Sequence, residues 1–389
     1  MLRSLAERTS SRQNSRQERN RYIDLVRAAA VARVVVYHAT GWAWLTIVFP
    51  AMATMFALAG SLTAASLDRY GVNAVGRRLR RLLPPLWMLA AVFVPAMLVT
   101  GLAPHWSLLL WALPLADPPA NGWGALALSV IWYLRDYLWF VLVSPIALPL
   151  FRRLPVPAVL APLALLVAIE FGLPAGTVIR DFALYFGCWL LGFAHHDGML
   201  QRMPRRLLFG LAATAATLGA AWFLTHPGPR GYDLNDIRLG NGLWSTAFVL
   251  LVLGLAPATA SWVDRLRPVR GAVTFLNRRA VTIYLWHMPV VVGFAALLTP
   301  LGLWTQDPAG IVLRVLLVAA GVALPVVAFG WVEDMAARRR PVALPGRARI
   351  PRPRAAEDGD QPGDSRAGRR VGVEAGAGAP RAPGRGGHR

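Results

Sequence analysis

The sequence predicts an all-α, polytopic membrane protein of about ten transmembrane helices, with both termini cytoplasmic. Three observations lead there. The chain is 56% hydrophobic over 389 residues, with a mean hydropathy of +0.45, an average that soluble domains rarely reach. Apolar runs of about 18 to 25 residues recur along it, each long enough to cross a hydrocarbon core. Arginines crowd the connections at one end of these runs and are sparse at the other, the bias that sets membrane orientation.

Residues 1–21 read as a disordered basic tail, polar and rich in Arg and Ser. They lack the apolar core and small-residue cleavage site of a signal peptide. Ten spans are expected at about 25–45, 47–66, 84–101, 125–148, 156–173, 182–196, 206–225, 242–258, 276–298 and 311–333, making one membrane domain over 22–334. With the N-terminus inside, the inner connections hold Arg69, Arg77, Arg78, Arg80 and Arg81, then Arg152 and Arg153, then Arg202, Arg205 and Arg206. The next holds Arg265, Arg267, Arg270, Arg278 and Arg279, and the last span is followed by Arg338 to Arg340. The outer connections hold only Arg180, Arg230 and Arg238. One miscounted helix would scramble this alternation. Trp42, Trp44, Trp106, Trp111, Trp123 and Trp304 fall in outer loops, as an interfacial aromatic belt does. The seventh span is rich in Ala and Gly, which lets helix backbones approach closely. Residues 335–389, rich in Arg, Pro and Gly, read as a second disordered tail.

The formal charge is +21 and every basic side chain is an arginine. These arginines sit in short loops and tails, so topology explains them and no nucleic-acid partner is expected; the lipid bilayer is the partner. Cys188 stands alone in an apolar run and has no disulfide partner in the chain. Neighbouring His195, His196 and Asp197 close the sixth span, but adjacent histidines on a helix end do not converge on one ion, and no metal is expected.

Ionisable residues inside apolar spans point to function. Arg27 and His38 are eleven positions apart on the first span. At 100° per residue they share a helix face, about 16 Å apart along the axis. Asp24 falls near the same face. A neutral imidazole deep in the span suits a general base. Arg78, Arg80 and Arg81 precede Pro84 and Pro85 at the expected start of the third span. Proline in a first turn would put these guanidinium groups beside a helix N-terminus, a place that suits phosphate; a lipid-anchoring role is the other reading. Tyr284 and His287, three residues apart on the ninth span, are expected to line a polar cavity facing His38 or to form an interhelical hydrogen bond. Arg135 and Asp136, adjacent in the cluster Trp132–Tyr137, are expected to point apart and pair with other helices. Glu170 and the polar outer loop 226–241 could meet a hydroxylated acceptor or simply face water.

Four segments in order resemble the acyltransferase family 3, the integral membrane O-acyltransferases. They are Asp24-Leu-Val-Arg27 with His38 closing an Arg-x10-His signature, Arg78-Leu-Arg-Arg81 before Pro84, Trp132-Tyr133-Leu134, and Tyr284-Leu-Trp-His287. The resemblance implies a ten-helix fold that moves an acyl group, acetyl first among the candidates, from cytoplasmic acyl-CoA to a hydroxyl of a sugar, glycan, glycolipid or small-molecule acceptor at the cytoplasmic membrane. It implies a catalytic His38 supported by Arg27 and Asp24. It places Arg78 and Arg81 on the donor phosphates, with Tyr284, His287 and Trp132 also on the donor side. Ala59-Gly60 and Ala280-Val281 depart from the family's usual Ser-Gly and Ser-Tyr. The rival expectation is a proton-coupled transporter or flippase of a glycan or lipid-linked intermediate, with Asp24, Arg27 and His38 as the proton path.

Overall fold

The computed structural model describes residues 2–257 and 267–341, with side chains over 21–257 and 268–341. The expected C-terminal tail lies, from residue 342 on, outside the described residues. Those described form helices and one isolated bridge, with no strand among them.

In chain order the helices are α1 (Leu2–Thr40), α2 (Trp44–Val48), α3 (Ala51–Tyr70), α4 (Asn73–Val99), α5 (Gly122–Ala127), α6 (Ile131–Arg153) and α7 (Pro155–Glu170). They continue with α8 (Thr177–His196), α9 (Met199–Arg202), α10 (Arg205–Thr225), α11 (Arg238–Gly254), α12 (Arg267–Arg278), α13 (Ala280–Leu298) and α14 (Pro308–Ala336). Seven stretches are long and apolar enough to cross a membrane: the Trp44–Tyr70 run, α4, α6, α8, α10, α13 and α14. The chain is thus an all-α, multi-pass membrane protein. Helices α7 and α11 are apolar but shorter, and the apolar half of α1 continues a polar half. The count of ten rests on the arginine alternation, not on helix length.

Small residues set the closest contacts. A Cβ placed on Gly60 of α3 would lie 2.2 Å from the Trp189 carbonyl oxygen on α8, and one on Gly192 of α8 would lie 2.0 Å from that of Ala57. The α3–α8 seam therefore tolerates nothing larger than glycine at either place. The Ala- and Gly-rich α10 behaves as expected: its Gly219 meets the backbone of α11 at Trp244 and Gly240.

Two expectations are corrected. Pro84 and Pro85 do not begin a helix; α4 starts at Asn73 and carries both prolines inside it. The Arg- and Leu-rich stretch before them is strongly helix-forming, so the helix propagates through. The prolines withhold only the amides that would bond the carbonyls four residues back, those of Arg80 and Arg81. The arginines thus sit mid-helix, and the helix-N-terminus argument for phosphate does not hold. Nor do Arg135 and Asp136 point apart: Arg135 Nε donates to Asp136 Oδ1 at 2.9 Å. The same fully buried guanidinium also reaches Asp117 and Asp181. A lone cation in an apolar interior gathers every carboxylate within reach.

The expected ninth span is broken at Arg279, between α12 and α13. Consecutive acids near the end of α14 account for the break. Glu333 accepts from the backbone amides of Val281 and Thr282, at 3.3 and 3.2 Å, and from the Thr282 hydroxyl at 2.8 Å. It caps α13 from a neighbouring helix. Asp334 accepts from Arg278 Nε at 2.9 Å and Arg279 Nη2 at 2.8 Å. This clasp sets where α13, the bearer of Tyr284 and His287, begins.

Candidate active site

Helix α1 presents the expected polar stripe. Arg27 Nη2 donates to Asp24 Oδ1 at 2.8 Å. Its Nε donates to Asn277 Oδ1 on α12, and Asn277 Nδ2 donates to the Asp24 carbonyl at 2.6 Å. Two of the three Arg27 nitrogens are thereby fixed by groups of the protein.

Arg27 lines a cavity of about 190 Å³ between α1, α3, α4, α6, α12, α13 and α14. Its polar wall adds Arg78, Arg81, Asn277, Arg278 and Arg339, with Glu333 the one carboxylate. Its apolar lining includes Val31, Met55, Leu58, Ala59, Leu62, Leu82 and Leu134, with the tyrosines 133, 137 and 284. The arginines are not alike. Arg27 and Arg278 are paired with Asp24 and Asp334. Arg78 donates to the Tyr137 hydroxyl at 2.6 Å and to Ser66 at 3.3 Å, both neutral. Arg81 and Arg339 are exposed. Among the described residues, Arg78, Arg81 and Arg339 have no carboxylate partner.

His38 and His287 lie beyond the cavity. On α1 the lining ends at Val31, about two turns before His38; on α13 it ends at Tyr284, one turn before His287. At that end the Tyr133 and Tyr284 rings pack 5.0 Å apart, and the Tyr284 hydroxyl donates to the Val130 carbonyl at 2.9 Å. Past this pair, the His38 and His287 rings stand 5.1 Å apart. His287 is fully buried and His38 half-buried.

The family profile described as an acyltransferase domain matches residues 20–330. The chain belongs to the acyltransferase family 3. Comparison with curated proteins and with solved structures returns no match.

In this membrane acyltransferase, four of the candidate site residues from the sequence meet at the cavity, Arg27, Arg78, Arg81 and Tyr284, joined by Tyr133 and Leu134 of the third motif. Asp24 supports Arg27 from behind. Trp132 is absent from the lining; its ring stacks on Tyr185 at 5.5 Å. Sequence reasoning missed Asn277, Arg339, Glu333 and the Arg278–Asp334 pair. Asn277 lies 250 positions from its partner Arg27, and no spacing rule reaches that far. Arg339 falls in the stretch read as tail, and Glu333 at the last residue of an expected span.

Two further clusters of the acyltransferase include residues singled out in the sequence, though Asp68 of the first was not among them. Asp68, His196 and Asp197 come within metal-ligand reach of one another. Arg152 occupies both carboxylates, at 2.9 Å from Asp68 and 2.8 Å from Asp197, so a cation there would displace a guanidinium. In the outer loop, Arg230 pairs with Asp236 at 2.8 Å and donates to the Tyr37 hydroxyl at 2.9 Å, while Tyr37 donates to Asp233 at 2.6 Å. The Arg230 guanidinium holds the Asp236 carboxyl below its usual range. These loop groups satisfy one another and pin the loop to α1. Glu170 is exposed at the end of α7.

Proposed function

We propose that this acyltransferase moves an acyl group, with acetyl the first to try, from cytoplasmic acyl-CoA to a hydroxyl of a sugar, glycan, glycolipid or small-molecule acceptor. One observation carries the reading. Three arginines without carboxylate partners among the described residues, Arg78, Arg81 and Arg339, line one cavity whose remaining lining is largely apolar. Guanidinium groups with no acid to neutralise them, lining one cavity, suit a ligand with several phosphates. An apolar wall behind them suits the slender arm that such a donor carries. Arg27 and His38 are separated by about 16 Å along α1, so the ligand's charged head and reacting end are far apart, as in a coenzyme A thioester.

On this reading His38 takes the proton of the acceptor hydroxyl. The acyl carbon–oxygen bond forms, the carbon–sulfur bond breaks, and the proton ends on the departing thiolate. Arg27, fixed by Asp24 and Asn277, steadies the donor. The Tyr133–Tyr284 pair must part for the thioester to reach His38.

The test is transfer of label from acetyl-CoA, then from longer acyl-CoA donors, in inside-out membrane vesicles. Wild type is set beside His38→Ala at matched expression. Label in a lipid, glycan or small-molecule fraction only with His38 intact supports the reading. Movement of an acceptor across the membrane without any acyl-CoA would replace it with the transporter reading.

A further inference from the structure

The second histidine has an arrangement that packing alone does not require. The His287 Nδ1 lies 2.6 Å from the backbone carbonyl of Tyr284. A carbonyl only accepts, so Nδ1 carries the proton and Nε2 is left as a bare lone pair. That Nε2 is buried and has no hydrogen-bond partner. A buried acceptor without a donor is costly and uncommon, and it calls for an account. The facing ring is His38, 5.1 Å away between centroids and tilted by 47°. Among the described residues His38 makes ring contacts with Tyr37 and His287 and no hydrogen bond. No hydrogen bond therefore fixes which way its ring faces.

We infer that His287 is the positioning residue for His38: its fixed Nε2 lone pair accepts the N–H of His38 when that ring turns, and so selects which His38 nitrogen faces the acceptor hydroxyl. This rests on His38 being the base. The chain of fixation runs from the Tyr284 carbonyl to His287 and then to His38. It does for a neutral imidazole what a carboxylate does in a serine hydrolase, holding one tautomer of the base. His287 is not itself the base, because it is fully buried and has no room for a substrate.

The experiment has two arms, so that this inference and the acyl-transfer reading can fail separately. In the first, ¹⁵N-histidine spectra of the full chain in lipid report the tautomer balance of His38, assigned with His38→Ala. This arm needs no substrate. The expected result is one dominant His38 tautomer in wild type and in His287→Gln, whose amide oxygen can replace the lone pair, and a mixture in His287→Phe. In the second arm, acyl transfer is measured. His287→Phe is expected to lower kcat about 10²-fold with the KM for acyl-CoA unchanged, and His287→Gln to recover most of that loss. A His38 tautomer balance that is the same in wild type and His287→Phe overturns the inference, as does a wild-type kcat in His287→Phe. Should His287→Phe not fold, a mixed balance in a folded His287→Gln overturns it equally. If wild type transfers no acyl group at all, the acyl-transfer reading falls, and the spectra still decide the pairing of the two rings.

Discussion

Asn277 holds Arg27 from the neighbouring helix: its Oδ1 accepts the Arg27 Nε–H while its Nδ2 donates to the Asp24 carbonyl at 2.6 Å. One neutral side chain thus fixes the direction of a guanidinium group and the turn of helix from which it springs. Asn277→Ala is expected to leave Arg27 free to swing away and to raise the KM for acyl-CoA about tenfold, the lower end for a hydrogen bond to a charged group. Protein levels should not change. Initial rates against donor concentration check this, and an unchanged KM would reduce Asn277 to a helix-packing role.

Among the described residues, Arg81 and Arg339 have no acid partner to lose. Arg81→Ala and Arg339→Ala should each raise the KM for the donor, by about tenfold, with little effect on kcat. Both effects should shrink as salt rises, because exposed charges are screened. If neither KM moves, the rim returns to anchoring lipid head groups.

The glycine seam predicts a structural failure. Gly192→Ala puts a Cβ against the Ala57 carbonyl, and no flexible side chain is there to yield. The cost is expected at about 3 kcal/mol, the upper range for overpacking. It should show as a clear drop in melting temperature in detergent. Gly210→Ala, with open space around that position on α10, is the control and should melt at or slightly above wild type.

The Glu333 cap makes a different prediction. Glu333→Ala exposes the α13 amides of Val281 and Thr282 inside the bundle. Loss of a cap costs about 1 kcal/mol, and the start of α13 should fray. Both thermal stability and kcat are expected to fall, since Tyr284 and His287 ride on that helix. Glu333→Gln, which keeps one acceptor, should retain more of each. Equal melting of the Ala variant and wild type would refute the cap's contribution.

The outer loop should respond to acid. The Asp236 carboxyl is held low by Arg230. A depressed carboxylate stabilises above its unfolded value, about 3.9, and that contribution is lost as pH falls through the lower folded value. Loop 226–237 should therefore stay protected from hydrogen exchange at neutral pH and open in acid. Asp236→Asn should be open throughout and flat with pH. A wild-type loop equally protected at both ends of that range would contradict the pinning by Arg230.

Much of this was legible because helix periodicity is local. Arg27 and Asp24 share a face by spacing alone, and the ion pair follows. Tyr284 and His287 share theirs; both were expected to line a polar cavity facing His38, and only Tyr284 reaches the cavity. What was not legible depends on the third dimension. Asn277 reads as an ordinary polar residue until α12 packs on α1. Glu333 and Asp334 read as acids at a span's end until α14 returns beside α13. Pro84 and Pro85 misled for another reason: proline weakens a helix but does not dictate where it starts, and the Arg- and Leu-rich run from Arg77 to Leu83 outweighed it. Trp132 carried a motif and lies against Tyr185, outside the cavity lining.

The arginine rim has one more consequence if the donor is a coenzyme A thioester. It would grip the portion of the ligand that the reaction leaves untouched. The spent carrier keeps every phosphate and so would compete for the same grip as the fresh one. Throughput would then follow the ratio of charged to discharged carrier in the cell rather than the amount of either, and the protein would slow itself whenever that supply runs down.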